Sequence, residues 1–468
     1  MPQLPPRPGP NDIVLGEPIE QTSRSIFRRH HHVVRLTSEQ QAYHGAIFGR
    51  SGIGKSSLLH SIFVQHLLKG HGVALIDPHS DLSLGLLSHL TQIGYFAKDT
   101  AFENLIYLDF TTTHIVPFNI LAPYTQPHTA ALHTLEAMMR VWPELRRAPS
   151  FQQLTLAALY ALHQSDLPIT FLHQFLTDEV FRVACLDRVS DPLIRQTFGH
   201  PGALTGQETG AARRRAFLLS FNELSRLSLG EPDSVLNIRS LMDRGTSLIV
   251  SLGHIEDTET RNLIGALLLV QIEQAALSRA GLPEAQRVPW TLIVDEWPTF
   301  SRSDRAIANV LEQCRKFGLR ILLSAQSPSQ VASDGLVAAL ENCRLQIAFG
   351  LSRKSAVEQA RELAELDPAT ADSPQFELLA QAIQHLGPQE CFVRIDTAPP
   401  VQVKTLSLPA QRPDPTLLSS VLGTYARLYH RTYQDAKHRA AKLATPCTAP
   451  ATPPQPFTLF GQSDDGAS

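Results

Sequence analysis

A glycine-rich stretch near the start of the chain constrains the fold more than any other feature. It covers residues 49–57 with the sequence GRSGIGKSS, which fits the phosphate-binding pattern GxxxxGK[ST]. An apolar run, GAIFG at residues 45–49, precedes it, and a helix-compatible run follows it over residues 57–68. In that context the loop amides and the helix N-terminus both face a bound anion. The sequence therefore predicts a P-loop, not an ordinary glycine turn.

The residues of this loop are the candidates for binding a nucleotide with its metal ion. Lys55 is expected to reach the β- and γ-phosphates, and Ser56 is expected to coordinate Mg²⁺. ATP and Mg²⁺ are therefore the expected cofactors. The nucleotide-binding residues predicted from the motif are Gly49, Arg50, Ser51, Gly52, Ile53, Gly54, Lys55, Ser56 and Ser57.

Two later apolar runs end in side chains that suit nucleotide hydrolysis. The run TLIVDE at residues 291–296 predicts that Asp295 holds the Mg²⁺ and that Glu296 orients and deprotonates the attacking water. Gln326 follows the run ILLSA and is expected to sense the γ-phosphate. The segment IDPHSD at residues 76–81 also ends a strand in a carboxylate. It lacks a second acid directly after the first, so it is the poorer candidate for the metal-binding strand.

Short apolar runs alternate with longer helical patterns, which is typical of an α/β protein with a mostly parallel sheet covered by helices. Strand signals stop between about residues 122 and 243, where apolar residues recur at helical spacing. An all-helical insertion there would account for the 240 residues between Lys55 and Asp295. A pair of runs at residues 391–395 and 401–406 indicates a late hairpin. The predicted strands of the sheet are residues 45–49, 73–77, 105–110, 248–252, 292–295, 321–325 and 345–349.

The expected domain order is a P-loop NTPase domain split by the helical insertion. Both ends of the chain are rich in Pro, Thr, Ser and Gly, so they are expected to be disordered. The predicted boundaries are a tail at residues 1–12, the first part of the NTPase domain at 13–121, the insertion at 122–243, the second part of the NTPase domain at 244–410, a C-terminal helix at 411–444 and a tail at 445–468.

The composition excludes several classes of protein. The chain has 468 residues, and its formal net charge of -3 rules out a histone-like polycation or an acidic-tail protein. A local basic channel can still bind nucleic acid on such a chain. Five scattered cysteines argue against a disulfide framework and suit a reducing cytoplasm. The tract HHH at residues 30–32 has no supporting ligand pattern, so no metal site is assigned to it.

No run reaches the roughly 18 apolar residues that a membrane helix needs. The best candidate, residues 263–277, is interrupted by Gln271, Glu273 and Gln274. The chain is therefore expected to have no membrane span of its own.

Taken in order, the motifs resemble the HerA/FtsK superclass of P-loop motors, and most closely the TraD-like coupling proteins of conjugative type IV secretion. The segment IDPHSD followed by PFN, and VDEW followed by CRKFG and SAQ, are the most specific parts of this resemblance, which extends over about residues 30–440. His44 before the first predicted strand, LIVSLG and ENCRLQIAFG complete it. Three departures from the family pattern are the lack of N-terminal membrane helices, Trp297 in place of Phe and Ser80 in place of Gly.

The resemblance implies a RecA-like motor domain that assembles as a ring hexamer with DNA threaded through its pore. It also implies that the helical insertion lies at one face of the ring, where such proteins recognise DNA or a relaxosome. Arg315 falls at the position of the family's arginine that acts across a subunit interface, with Arg344 and Arg353 as alternatives. A cytoplasmic location follows, either docked at the inner face of the membrane against a relaxosome and a secretion channel or free in the cytosol.

The function predicted from these features is an ATP-hydrolysing motor that translocates single- or double-stranded DNA. One alternative is a type IV secretion ATPase that energises the export of protein or pilus subunits. Others are a cytosolic HerA-like DNA-processing motor and a nucleotide-bound scaffold with slow hydrolysis. The residues Arg213, Arg214 and Arg215 in the insertion either contact phosphates or form a solvated helix face.

Overall fold

The structure, a computed structural model, describes residues 9–19, 33–121, 126–199, 204, 207–300, 304–330, 339–340, 342–364, 374–408 and 414–444. The histidine tract at residues 30–32 and the predicted tail at residues 445–468 lie outside the described residues, as do residues 1–8.

Thirteen strands are found in the described part of the chain. Their bounds are β1 (Ile13–Pro18), β2 (Val34–Leu36), β3 (Gly45–Phe48), β4 (Gly72–Asp77), β5 (Leu105–Asp109), β6 (His114–Ile115), β7 (Ser247–Ser251), β8 (Trp290–Val294), β9 (Leu319–Ala325), β10 (Leu345–Phe349), β11 (Glu390–Ile395), β12 (Val401–Thr405) and β13 (Arg431–Thr432).

Several of the helices pack on these strands, among them the first two, which both pack on β4. In chain order they are α1 (Lys55–Leu68), α2 (Asp81–Gln92), α3 (Ala101–Asn104), α4 (Pro127–Val141), α5 (Pro149–Gln164), α6 (Leu172–Thr177), α7 (Glu179–Leu186), α8 (Pro192–Phe198), α9 (Gln207–Phe221), α10 (Glu223–Ser228), α11 (Ile238–Arg244), α12 (Thr258–Leu277), α13 (Asp304–Gln313), α14 (Arg353–Ala364), α15 (Pro374–Gln384), α16 (Pro415–Tyr429) and α17 (Tyr433–Ala444).

Eleven of the strands form one sheet, in the order β2-β1-β12-β11-β10-β3-β9-β8-β4-β7-β5. The seven strands from β10 to β5 pair in parallel. They are the seven strands predicted from the sequence, and their residues are almost all buried. Burial on both faces is the reason that they read as continuous apolar runs. The predicted α/β class with a mostly parallel sheet is confirmed.

An antiparallel edge extends this sheet beyond β10. The late hairpin is present as β11 and β12, and β1 pairs with β12 while β2 pairs with β1. Residues 9–12 were expected to belong to the tail but are fixed here. Asp12 is buried and pairs with Arg35 at 3.2 Å, and Lys69 Nζ donates to the Pro10 carbonyl.

The secondary-structure elements described between β6 and β7 are all helices, apart from one isolated bridge, Phe118 to Ser234. Within this region α4 packs against both α5 and α12, so the helices adjoin the core of the sheet domain. That they form a separate insertion domain with the boundaries 122–243 stays a proposal.

The single C-terminal helix expected at residues 411–444 is replaced by two helices, α16 and α17. The short strand β13 separates them and pairs with β6. His430 Nε2 also accepts a hydrogen bond from the Asp109 amide. These contacts require an extended backbone at residues 430–432, so the helix stops there although its apolar spacing continues.

One helix in the described part of the chain, Thr258–Gly281, is long and apolar enough by composition to cross a membrane. It contains α12, and 67% of its most apolar window is buried inside the protein. Because α12 packs against α4 and α11, this segment has the surroundings of a core helix.

Three buried histidines are expected to make the fold sensitive to acid. Burial lowers the pKa of His44 to about 4, of His60 to about 4 and of His66 to about 3 from the usual 6.5. Between pH 6.5 and pH 4 the unfolded chain therefore binds protons that the folded protein does not, and stability falls as the pH decreases. We expect the free energy of unfolding in urea to be lower at pH 5.5 than at pH 7.5, by about 1 kcal/mol for each histidine.

A histidine variant and an exposed control separate this effect from general acid destabilisation. His60→Asn removes one buried titrating group and should reduce the difference between the two pH values. Thr112→Asn, which places the same new side chain at an exposed position that does not titrate, should leave the difference unchanged. Equal stability at pH 5.5 and pH 7.5 would contradict the assignment.

Candidate nucleotide site

The sheet topology brings the three predicted motifs to one edge. The P-loop follows β3, Gln326 follows β9, and Asp295 with Glu296 follows β8. These strands are parallel neighbours in the order β3-β9-β8, so their carboxyl ends lie side by side. One strand therefore separates the loop from the acidic pair, and that strand carries the polar amide.

The P-loop backbone is shaped as an anion site. Gly52 and Gly54 have φ values of 74° and 121°, which only glycine adopts without strain. After Arg50, the next amide that bonds within the protein is that of Leu58, which donates to the Gly54 carbonyl. Among the described residues, none of the amides of residues 51–57 donates to a protein acceptor. These free donors at the start of α1 are the groups that a phosphate requires.

Lys55 lies buried at the centre of this site. Its ammonium donates to the carbonyls of Gly49 at 2.6 Å and Arg50 at 3.2 Å, and it lies 3.8 Å from Glu296 Oε1. Burial lowers the pKa of Lys55, and the carboxylates of Glu296 and Asp295 oppose that shift. The structure thus brings together a lysine and a glutamate that lie more than 200 residues apart in the chain.

The acidic pair is also held in an unusual environment. Burial raises the pKa of the Asp295 carboxyl, and the nearby carboxylates of Asp77 and Glu296 add to this rise, while Lys55 opposes it. A divalent cation would favour the ionised form of such a group. Glu296 has a φ of 44°, a left-handed conformation that costs energy in a residue other than glycine. This backbone turn directs its carboxylate towards Lys55.

Asp77, the carboxylate of the rival segment IDPHSD that ends β4, has different surroundings. Its Oδ1 accepts the His79 amide and its Oδ2 accepts the Ser83 amide, so both oxygens organise the start of α2. Ser80 bonds to the Ser251 hydroxyl at 2.6 Å and accepts the Gly253 amide, which links β4 to β7. These contacts support the choice of Asp295 over Asp77 as the metal-binding acid.

The other predicted site residues lie at two edges of the sheet. Ser56 is exposed on the first turn of α1, and Gln326 is exposed beyond β9, with its amide donating to Gln330 Oε1. Arg353 is exposed at the start of α14, on this same edge. Arg315 and Arg344 precede β9 and β10 and therefore lie at the opposite, amino edge. The seven residues of β9 separate Arg315 from the P-loop of its own chain by on the order of 20 Å.

Several contacts of the P-loop were missed in the sequence analysis. The Gln389 amide donates to the Ile53 carbonyl at 2.7 Å, and the Arg50 amide donates to the Gly350 carbonyl at 3.1 Å. A Cβ atom at Gly49 would lie 2.5 Å from Cβ of Phe349, so the loop packs directly on the end of β10. The pair Gly387-Pro388 is a local turn signal, but no sequence pattern connects that turn to the P-loop.

The arginines of the helical region are mostly engaged within the protein. Arg213 Nε donates to the Leu176 carbonyl, and Arg215 Nη2 bonds to Glu144. Arg214 is exposed on α9. Of the three, Arg214 is thus the one whose side chain faces solvent.

Sequence comparison gives no relative: no family model matches the chain, and no curated protein matches it. Solved structures do match. The bacterial conjugative coupling protein TrwBdeltaN70, in an unbound form, superimposes with a TM-score of 0.58 at 17% identity, over 81% of this chain and 89% of that chain. TrwB in complex with ADP and Mg²⁺ gives a TM-score of 0.56 at 16% identity, over 86% and 96% of the two chains. VirB4 of Thermoanaerobacter pseudethanolicus gives 0.53 at 14% identity, over 85% and 97%.

At these levels of identity the comparisons establish the fold. They agree with the resemblance to coupling proteins that the motifs indicated, and the matched lengths include nearly the whole of each structure. The chain therefore has the RecA-like P-loop NTPase fold that is shared by the conjugative coupling protein TrwB and by VirB4.

Proposed function

We propose that the protein is an ATP-hydrolysing motor that translocates DNA in the manner of a conjugative coupling protein. The observation that carries this proposal is the 3.8 Å approach of Lys55 Nζ to Glu296 Oε1. It places the phosphate-binding lysine and the candidate general base in contact, at the edge where the free amides of the P-loop are exposed. A scaffold that only binds nucleotide would not require an acid held there in a strained conformation.

The residues of the site take separate roles in hydrolysis. The amides of residues 51–57 hold the phosphates, and Lys55 leaves its carbonyl partners to bind the β- and γ-phosphates. Ser56 and Asp295 are the residues that would hold Mg²⁺, which supplies positive charge against the transferring phosphoryl group. The fit of a cation is supported by the crowding of carboxylates around Asp295, since Asp77 and Glu296 both act on this buried acid and Lys55 alone opposes them with a positive charge.

Glu296 orients the attacking water and accepts its proton as the bond to the γ-phosphorus forms. Gln326 lies between the P-loop and Glu296 in the strand order and senses whether the γ-phosphate is present. Arg315 lies too far from its own P-loop to take part, so it acts on the nucleotide of an adjacent subunit. This arrangement requires an adjacent subunit, and we propose that it is supplied by a homo-hexameric ring with DNA in its pore.

The proposed cargo is single- or double-stranded DNA, gripped through its phosphate backbone without reading its sequence. The protein would act in the cytoplasm, at the inner face of the membrane, with a relaxosome and a secretion channel as partners. The similarity of the fold to that of TrwB, a bacterial conjugative coupling protein, supports this choice. The second candidate, an ATPase for the export of protein or pilus subunits, uses the same hydrolytic site, so DNA is the ligand that separates the two.

The test is the steady-state ATPase rate with and without single- and double-stranded DNA at two salt concentrations. We expect DNA to raise the rate several-fold and the stimulation to weaken at high salt, because each phosphate contact releases counterions. A polyanion without bases, such as heparin, controls for charge alone. Hydrolysis that is indifferent to DNA would reject DNA translocation and favour the export ATPase.

A further inference from the structure

Tyr43, two residues before β3, lies between two arginines at the amino edge of the sheet. The Arg315 Cζ atom is 5.3 Å from the centre of its ring, and the Arg344 Cζ atom is 5.1 Å from the same point. Arg315 precedes β9 and Arg344 precedes β10, the strands that flank β3 on its two sides. The aromatic ring therefore contacts one cation from each neighbouring strand.

The two arginines differ in how their charge is compensated. Arg344 Nη1 lies 3.5 Å from Asp396 Oδ1, and the Asp396 amide donates to the Arg344 carbonyl. Arg315 is exposed and has no carboxylate partner among the described residues. The positive charge of Arg315 also acts on the buried His44, and it adds to the effect of burial in lowering the pKa of that histidine. Arg315 is thus the cation of this pair that keeps its charge available for an anion from outside the chain.

We infer that Tyr43 is a positioning residue that holds the Arg315 guanidinium ready to enter the nucleotide site of an adjacent subunit. This inference rests on the proposed function, in which Arg315 acts in trans. A guanidinium over an aromatic face is attracted by the negative potential of the ring. An arginine that is restrained in this way before it meets the phosphate loses less freedom on binding.

A merely structural role for Tyr43 makes a different prediction. Tyr43 also ends the short turn that leads into β3, since its amide donates to the Gln40 carbonyl. If the ring mattered only for the placement of β3, its loss would damage the P-loop of the same subunit. If the ring positions Arg315, its loss would damage the site of the neighbouring subunit. Subunit mixing separates the two.

The first measurement is the ATPase rate of Tyr43→Leu and Tyr43→Phe. Tyr43→Leu removes the aromatic face, and we expect kcat to fall about twofold to fivefold with KM for ATP nearly unchanged, because the arginine acts mainly on the transition state. Tyr43→Phe keeps the aromatic face and should retain the wild-type rate. A Phe variant as impaired as the Leu variant would overturn the inference.

The second measurement mixes Tyr43→Leu subunits with an excess of Lys55→Ala subunits. The Lys55→Ala subunits cannot hydrolyse ATP, but each keeps an intact Tyr43 side chain and an intact Arg315 that can act on the neighbouring subunit. The rate per Tyr43→Leu site should rise towards that of the wild type. Arg315→Ala mixed in the same way is the reference for complementation. If Arg315→Ala is complemented and Tyr43→Leu is not, Tyr43 does not act across the interface and the inference fails.

The same variants distinguish failure of this inference from failure of the proposed function. A Lys55→Ala protein that still hydrolyses ATP would reject the proposed hydrolytic site itself. An Arg315→Ala protein with the wild-type rate would reject the arginine that acts in trans, and the inference with it. An impaired Arg315→Ala protein beside an unimpaired Tyr43→Leu protein would reject the inference alone.

Discussion

Lys55→Ala is expected to abolish ATP hydrolysis, with a decrease in rate of at least about 100-fold. The side chain lies at the centre of the site, where it contacts Glu296 and the carbonyls of the P-loop. Its replacement removes the one ammonium that neutralises charge on the β- and γ-phosphates, and a preorganised charge of this kind contributes a factor of about 10² to 10³. Phosphate release from ATP, measured at saturating ATP and Mg²⁺, gives the rate.

The control must remove a lysine without touching the site. Lys98 is exposed and distant in sequence from the motifs, so Lys98→Ala should hydrolyse ATP at the wild-type rate. Urea unfolding of both variants shows whether the protein remains folded. A folded Lys55→Ala protein with more than about a tenth of the wild-type rate would contradict the role assigned to this lysine.

Glu296→Gln is expected to separate nucleotide binding from hydrolysis. The amide has nearly the same shape as the carboxylate but cannot accept the proton of the attacking water. We expect kcat to fall by about 10² to 10³, within the range usual for the loss of a general base. ATP should bind at least as tightly as to the wild type, because one negative charge next to the phosphates is removed while the P-loop stays intact.

The measurement pairs single-turnover hydrolysis with binding of ATP followed by fluorescence of a labelled nucleotide. Glu231→Gln is the matched control, since Glu231 is a buried acid that pairs with Arg439 in another part of the molecule. It should leave the turnover of ATP unchanged. If Glu296→Gln hydrolysed ATP at a rate close to that of the wild type, Asp295 or another group would have to activate the water.

The parallel part of the fold was predictable because its signals are local. A strand buried on both faces must be apolar along its whole length, and the runs at β3, β8 and β9 satisfy this condition. The site could be predicted for the same reason. Lys55, Asp295 and Gln326 each follow such a run, and parallel strands bring their carboxyl ends to one edge.

The remaining features depend on contacts between distant parts of the chain. β1 is held in place by pairing with β12, which lies nearly 400 residues later in the chain. No pattern in the sequence of β1 identifies that partner. The hydrogen bond from the Gln389 amide to the Ile53 carbonyl likewise joins residues far apart in the chain, and no local pattern predicts it. The break between α16 and α17 arises because β13 pairs with β6, whereas the helical spacing alone continues across residue 430. Tyr43 was not selected because its importance lies in two arginines that the strand order places beside it.

The strand order has a consequence for how the protein is made. β3 lies between β9 and β10, which are synthesised more than 270 residues after it. While a ribosome adds residues at about 5 to 20 per second, β3 therefore waits for tens of seconds with neither edge paired. The nucleotide pocket is completed only when the last third of the polypeptide has emerged. ATP thus cannot assist the early stages of folding, and chains released before β10 would expose an apolar strand to aggregation.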